Sequence, residues 1–203
     1  MQDEKALVEV TSCVSLVQLN IFRITKVGAF PMSAELLTHF FSSSCFYITC
    51  ETIGRENIIS GDPITHLLRT VLNQIKQTHR FQTLGYVLLP DHVHLVIKPN
   101  PNVTLDAIIQ GLIRQFEREY ATLMGQPEVN PIWERSYPAR RLQDGADLGR
   151  HLDWVHYNPV YHRHVDKPDG WLHSSYQVWC ERGLYQAGWG SALPESIKGK
   201  RWG

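Results

Sequence analysis

The sequence is poor in the features that mark export or a membrane. Its four cysteines, Cys13, Cys45, Cys50 and Cys180, are spread over 203 residues. None forms a C-x-x-C pair, which excludes a thiolate zinc ribbon, and their sparseness excludes a secreted disulfide scaffold. No apolar run reaches the ~18 residues of a membrane helix. Asp3 and Glu4 stand where a signal peptide would carry basic residues. The expectation is a cytoplasmic protein with reduced thiols and no membrane attachment. An excess of either charge is also missing: 20 Lys and Arg balance 20 Asp and Glu, so a polyanion can be met only by a local patch. No repeat or low-complexity segment interrupts the chain. With 43% hydrophobic residues and a mean hydropathy of −0.25, the composition is that of a globular protein, and the length fits one domain with an extension.

What the chain does have is histidine, ten residues of it, and a legible order of elements. Residues 1–44 show weak alternation and no caps and form an N-terminal extension of unknown role. The core domain is expected over 45–190, followed by a basic C-terminal tail, 191–203. Residues 45–52 are β-branched and aromatic and read as a strand closed by Gly54. Asp62 and Pro63 then supply an N-cap and a first-turn proline, and Ile64, Leu67, Leu68, Val71, Leu72 and Ile75 recur at helical spacing, giving a helix over 63–79. The runs 81–89 and 92–98, split by Pro90 and Asp91, predict an antiparallel hairpin. Leu105, Ile108, Ile109, Leu112, Ile113 and Phe116 share one helical face, so a second helix runs to about Leu123 and stops at Gly125. A last extended piece, 136–142, completes a β-α-β-β-α-β order, the ferredoxin-like α+β arrangement of an antiparallel sheet with helices on one face. A further C-terminal helix over 146–157 is expected to stop at Asn158 and Pro159.

Within the second hairpin strand, a period of two sends His92 and His94 to one face and Val93, Leu95 and Ile97 to the other. Two imidazoles about 7 Å apart by Cα can reach one divalent ion. The same pair can also be ordinary strand histidines bonded to neighbours. On the C-terminal helix, Trp154 and Asn158 are four apart and share a face, with Tyr157 turned by about 60° from Trp154. Asn158 by itself could also be no more than a C-terminal cap. Trp133, Arg135, Tyr137, Arg140 and Arg141 crowd one short stretch; aromatic rings among arginines suit single-stranded DNA, and arginines also guard an edge strand. His162 and His164 repeat the H-x-H spacing outside any strand and read as loop histidines.

Four blocks in order, YVLLPDHVHL at 86–95, PIWERSY at 131–137, WVHYNPV at 154–160 and WLHSSY at 171–176, together resemble the HUH single-tyrosine transposases, in the branch associated with repetitive extragenic palindromes. The resemblance spans about residues 45–190. It implies a ferredoxin-like domain that binds single-stranded or hairpin DNA, a divalent metal, Mg²⁺ or Mn²⁺, at His92, His94 and Asn158, assembly as a homodimer, and a tyrosine that attacks a phosphodiester to leave a 5′-phosphotyrosine and a free 3′-hydroxyl. Tyrosine suits that role because its oxygen forms a covalent ester that can be rejoined. The chain departs from the pattern where it matters most. The family's Tyr-Ile-His-x-Asn-Pro-Val opens on the attacking tyrosine, and here that position is Trp154. An indole forms no phosphoester. Two expectations follow: Tyr157 substitutes as nucleophile, with Tyr137 and Tyr161 more remote, or the chain is a catalytically decayed protein that binds DNA without cutting it.

Overall fold

The computed structural model describes residues 44–200 and 202, together with Leu37, Phe40 and Phe41; the rest of the N-terminal extension lies outside the described residues. Strand β1 (Phe46–Glu51) pairs antiparallel with β3 (His92–Pro99), β3 with β2 (Phe81–Leu88), and β4 (Ala139–Arg141) lies on the other side of β1. The resulting order β2-β3-β1-β4, with helix α1 (Asp62–His79) between β1 and β2 and α2 (Leu105–Leu123) between β3 and β4, is the ferredoxin-like arrangement. Helix α3 (Gly145–Tyr161) and the short α4 (Tyr176–Glu181) follow.

Alternation along β1 and β3 builds two cores. Ile48, Cys50, Val93, Leu95 and Ile97 face α1 and α2 and meet Leu68, Leu72, Ile109 and Phe116. Tyr47 and Val96 point the other way, to Leu148, Leu152, Val155 and Trp179 on α3 and α4. His92 and His94 therefore belong to the α3 side, because the strand period gives them the parity of Val96. Thr49 lies opposite His94 and Glu51 opposite His92. Helix α2 starts on Thr104, whose side chain accepts from the Ala107 N–H, and α3 on Asp144, which accepts from the Asp147 N–H. At α1 the cap is Gly61, with no side-chain bond, and Asp62 is already helical. Among the described residues no helix is long and apolar enough to cross a membrane.

One boundary differs from the sequence reading in a way that shapes the site. Pro159 does not stop α3; the helix passes through it to Tyr161. The proline removes one N–H and crowds the carbonyl one turn earlier, a cost of about 3 kcal/mol, but residues 154–159 are all buried, and packing of that face outweighs it. Asn158 is thus an interior residue with an aligned side chain, and its carbonyl accepts from the His162 N–H at 3.0 Å.

The sheet and α3 approach closely at Gly85, beside the bulge between Thr83 and Gly85. A Cβ there would meet Leu152 Cδ2 at 2.6 Å, and Leu152 is fully buried. Gly85→Ala is expected to cost about 1–3 kcal/mol through overpacking; an unchanged urea midpoint would show that the contact relaxes freely. The outer edge of β2 is already occupied, since the Leu88 N–H donates to the His173 carbonyl and the Ser175 N–H to the Tyr86 carbonyl, both at 2.9 Å.

Candidate active site

The site is built on the strand face that α3 covers. The His92 and His94 rings are 4.8 Å apart by centroid and nearly perpendicular, at 76°, and both are almost fully buried. His92 Nδ1 lies 2.6 Å from Asp91 Oδ1, and Arg55 Nε grips the other oxygen of that carboxylate at 2.9 Å. A carboxylate facing Nδ1 accepts a hydrogen bond from the ring N–H, which keeps the proton there and leaves Nε2 as a bare lone pair. That atom faces Asn158 Oδ1 at 3.3 Å, while Asn158 Nδ2 is buried without a partner. Two acceptor atoms then look at each other with no hydrogen between them. A cation satisfies such a pair, as does a turned-over amide when no cation is bound.

His94 is held from behind in the same manner. Its Nδ1 lies 2.9 Å from Tyr47 Oη and 3.0 Å from Thr49 Oγ1. A ring that gives its Nδ1 proton to either oxygen keeps Nε2 free for a ligand. Burial holds the His94 imidazole well below its ordinary pKa, and the nearby His92, His162 and Arg55 act in the same direction. Burial lowers His92 too, against the opposing pull of Asp91. Both rings are neutral at pH 7, the form that binds metal. Tyr47 is pushed up to about 12, chiefly by burial, so its hydroxyl stays protonated.

Trp154 has become part of this support. Its Nε1–H donates to Tyr47 Oη at 3.1 Å, and its ring is 5% exposed. On its outer side the C-terminal tail returns: Trp202 stacks on Trp154 with centroids 5.4 Å apart at 12°. Tyr157 is 9% exposed; it packs in the α3-side core, with Cδ2 3.7 Å from the place of a Cβ on Gly190. Tyr161 is 58% exposed, and its ring lies 5.0 Å from Trp154 and 5.2 Å from His162.

Among the described residues no three His, Cys, Asp or Glu side chains gather into a metal-holding group. The side chain that stands beside the paired rings is instead the Asn158 amide, with its oxygen 3.3 Å from His92 Nε2. Sequence reasoning passed over several contributors. Asp91 looked like a turn residue; its position just before His92 was the available signal. His162 looked like a loop histidine, yet its ring is 5.0 Å from His92, because α3 continues to Tyr161 and brings it to the site. Tyr47 and Thr49 carried no signal, since strand pairing alone places them beside His94.

The aromatic and arginine stretch divides. Trp133 is 3% exposed and its ring packs edge-on to Phe116 at 5.5 Å, so it offers no face to a base and is a core residue. Tyr137 donates to Asp106 Oδ1 at 3.0 Å. Arg140 lies opposite Tyr47 and Arg141 opposite Phe46, so the pleat sends Arg140 to the histidine side and Arg141 to the α1 and α2 side. Arg140 also pairs with Asp147 at 3.6 Å. Arg135 is exposed.

Comparison with known proteins agrees with the fold. A family model described as "Transposase IS200 like" matches residues 39–148. The chain is 32% identical over 139 residues to a Haemophilus influenzae protein assigned as a REP-associated tyrosine transposase, covering 64% of this chain and 79% of that one. It is 23% identical over 135 residues to the Escherichia coli K12 REP-associated tyrosine transposase, covering 66% and 78%. A REP-associated tyrosine transposase solved bound to a REP hairpin superposes with a TM-score of 0.64 at 19% identity, over 88% of this chain and 99% of that one; at that identity the likeness is one of fold. The family match over more than half of the chain, on a sheet that carries the paired histidines, places this protein among the IS200-like transposases, in the branch of the REP-associated tyrosine transposases.

Proposed function

We propose that the chain binds hairpin-flanked single-stranded DNA, then cuts and rejoins it through a 5′-phosphotyrosine, with a divalent metal, Mg²⁺ or Mn²⁺, held by His92, His94 and Asn158. The observation that carries this reading is the approach of the bare His92 Nε2 to Asn158 Oδ1 at 3.3 Å, beside His94. When bound, a divalent ion there polarises a phosphate oxygen and offsets the charge that grows as a nucleophile attacks phosphorus. Two imidazoles and an amide suit Mn²⁺ better than Mg²⁺, which prefers oxygen ligands and retained water.

The chain's own residues supply the rest. Asp91, steadied by Arg55, holds the His92 proton on Nδ1; Thr49 and Tyr47 do the same for His94; Trp154 keeps the Tyr47 hydroxyl in place. In this reading Arg135 and Arg140, both exposed, meet backbone phosphates. A tyrosine hydroxyl on α3 stands in for the one that Trp154 lacks. If the homodimer that the resemblance implies extends the sheet, it does so at the β4 edge, since segment 173–175 closes β2, and the two arginines of β4 work against strand pairing there; light scattering that finds the mass of a single chain removes the dimer.

The test uses the full chain with a pool of synthetic single strands, each carrying one hairpin between randomised arms. A protein–DNA adduct that survives denaturation is expected with Mn²⁺ and is lost with a chelator. Trp154 favours a second reading, a decayed DNA-binding protein; hairpin binding with no adduct under any divalent metal would establish it and remove the first.

A further inference from the structure

We infer that Tyr161, which lies outside the family's motif, is the nucleophile of this chain. The inference rests on the cleavage reading above. Trp154 has no hydroxyl, and its N–H is committed to Tyr47. Tyr157, the nearest tyrosine in the motif, is 9% exposed and its ring edge lies by Gly190 and Pro168, within the core that α3 and the C-terminal segment share. A phenol in that place has no open path to a phosphate.

Tyr161 differs on each count. It is seven residues after Trp154 and three after Asn158, so the turn of the helix returns it to within about 20° of Trp154 and about 60° of Asn158. Side chains of a helix lean toward its N-terminus, which carries the Tyr161 ring back over the turn that holds Asn158. Its contact with Trp154, at 5.0 Å between centroids, records that lean. On its other side His162 lies 5.2 Å away, and His162 is in turn 5.0 Å from His92. The phenol thus stands at the edge of the imidazole cluster with 58% of its surface exposed. It opens onto a groove of about 580 Å³ that Trp154, Trp202 and Lys200 also line. Lys200 supplies a positive charge for DNA entering that groove.

The displaced role accounts for the missing hydroxyl at position 154. Where the family's motif opens on a tyrosine, this chain has a larger ring that braces Tyr47 and His94, and the next phenol on the same helical face, two turns on, is left at the solvent. In the reaction the Tyr161 oxygen forms a bond to phosphorus as the bond from phosphorus to the 3′ oxygen breaks. The phenolic proton leaves to water, and the departing 3′ oxygen takes a proton from water to become the free hydroxyl. The 5′ phosphate stays on the tyrosine, and attack by a 3′-hydroxyl reverses the step.

The experiment uses the full chain, Mn²⁺ and the hairpin pool, with Tyr161→Phe, Tyr157→Phe and Trp154→Tyr beside the wild type. Hairpin affinity is followed by fluorescence anisotropy and the adduct site by peptide mass spectrometry. The expected result is an adduct in the wild type and in Tyr157→Phe, with the nucleotide mass on the peptide that contains Tyr161. In Tyr161→Phe the adduct is lost while hairpin affinity is kept. A wild-type adduct that persists in Tyr161→Phe, or one that maps to Tyr157, overturns the assignment and leaves the cleavage reading standing. No adduct in the wild type overturns both, and its appearance in Trp154→Tyr alone identifies a decayed enzyme whose remaining site still works.

Discussion

Alanine in place of His92 or His94 is expected to slow Mn²⁺-dependent adduct formation by about 10²-fold or more, the scale seen when one preorganised group that stabilises transition-state charge is removed. The size of the effect follows from the ligand count. Among the described residues the proposed donor set is two imidazoles and one amide, so loss of either ring leaves too few ligands to hold an ion against water. The fold should tolerate the change at His92, because Asp91 keeps its ion pair with Arg55 at 2.9 Å. At His94 the cost is larger, since Tyr47 and Thr49 lose a common partner in a buried place. Bound Mn²⁺ is measured separately by its electron paramagnetic resonance signal, which should be present with the wild type and lost in both variants. Adduct formation within a few-fold of wild type in either variant, or an unchanged Mn²⁺ signal, would rule out a metal on this pair.

The second large effect concerns stability against pH. His156 is completely buried on α3, with Nδ1 2.7 Å from Tyr185 Oη and Nε2 2.7 Å from Ser175 Oγ. Burial pushes its pKa from the ordinary 6.5 down to about 3. The unfolded chain therefore binds a proton that the folded chain refuses between those two values. Stability is full above the unfolded pKa and falls as pH drops toward the folded one. Each pH unit of that window costs about 1.4 kcal/mol, for a total on the order of 5 kcal/mol. Around the ring stand Tyr176 and Tyr185, both pushed upward and so silent in this range. Asp153, raised by burial beside Tyr185, acts in the opposite sense. His92, His94, His151, His162 and His173 are all lowered and add to the wild-type slope. The contribution of His156 is thus a difference: in urea unfolding between pH 7 and pH 4, chosen to span about the window of the shift, His156→Gln should show a shallower loss than the wild type. Equal slopes would mean that His156 takes up a proton in the folded state.

Much of the architecture is legible in the chain because local rules and tertiary packing agree there. Helices α1 and α2 carry apolar residues at helical spacing along their whole length, and each lies on the sheet by that stripe. The strand with His92 and His94 alternates, so the face of each histidine is fixed before any partner is known. Disagreement occurs at Pro159 and Trp133. A proline after an asparagine is locally a stop signal, yet α3 runs on because its inner face is buried against β2 and β3. A tryptophan among arginines looks like a stacking platform, yet Trp133 is drawn into the core through its bridge to Thr52 and the bonds from the Ile132 and Trp133 N–H groups to Glu117. The arginines near it are likewise divided between two faces by a pleat whose register no composition reveals.

By itself, the sequence determined the order of strands and helices, the common face of the two histidines, the kinship of the chain and the absence of a hydroxyl at position 154, because each depends on residue identity and short-range period. Only the tertiary structure decided which groups surround that face. It brought Tyr47 and Thr49 behind His94, aligned the Asn158 amide with His92, turned Trp154 into a brace, drew Tyr157 inward and left Tyr161 at the mouth. Such choices are made between segments distant in the chain, where burial on one side of a sheet outweighs local preference, and no spacing along the sequence encodes them.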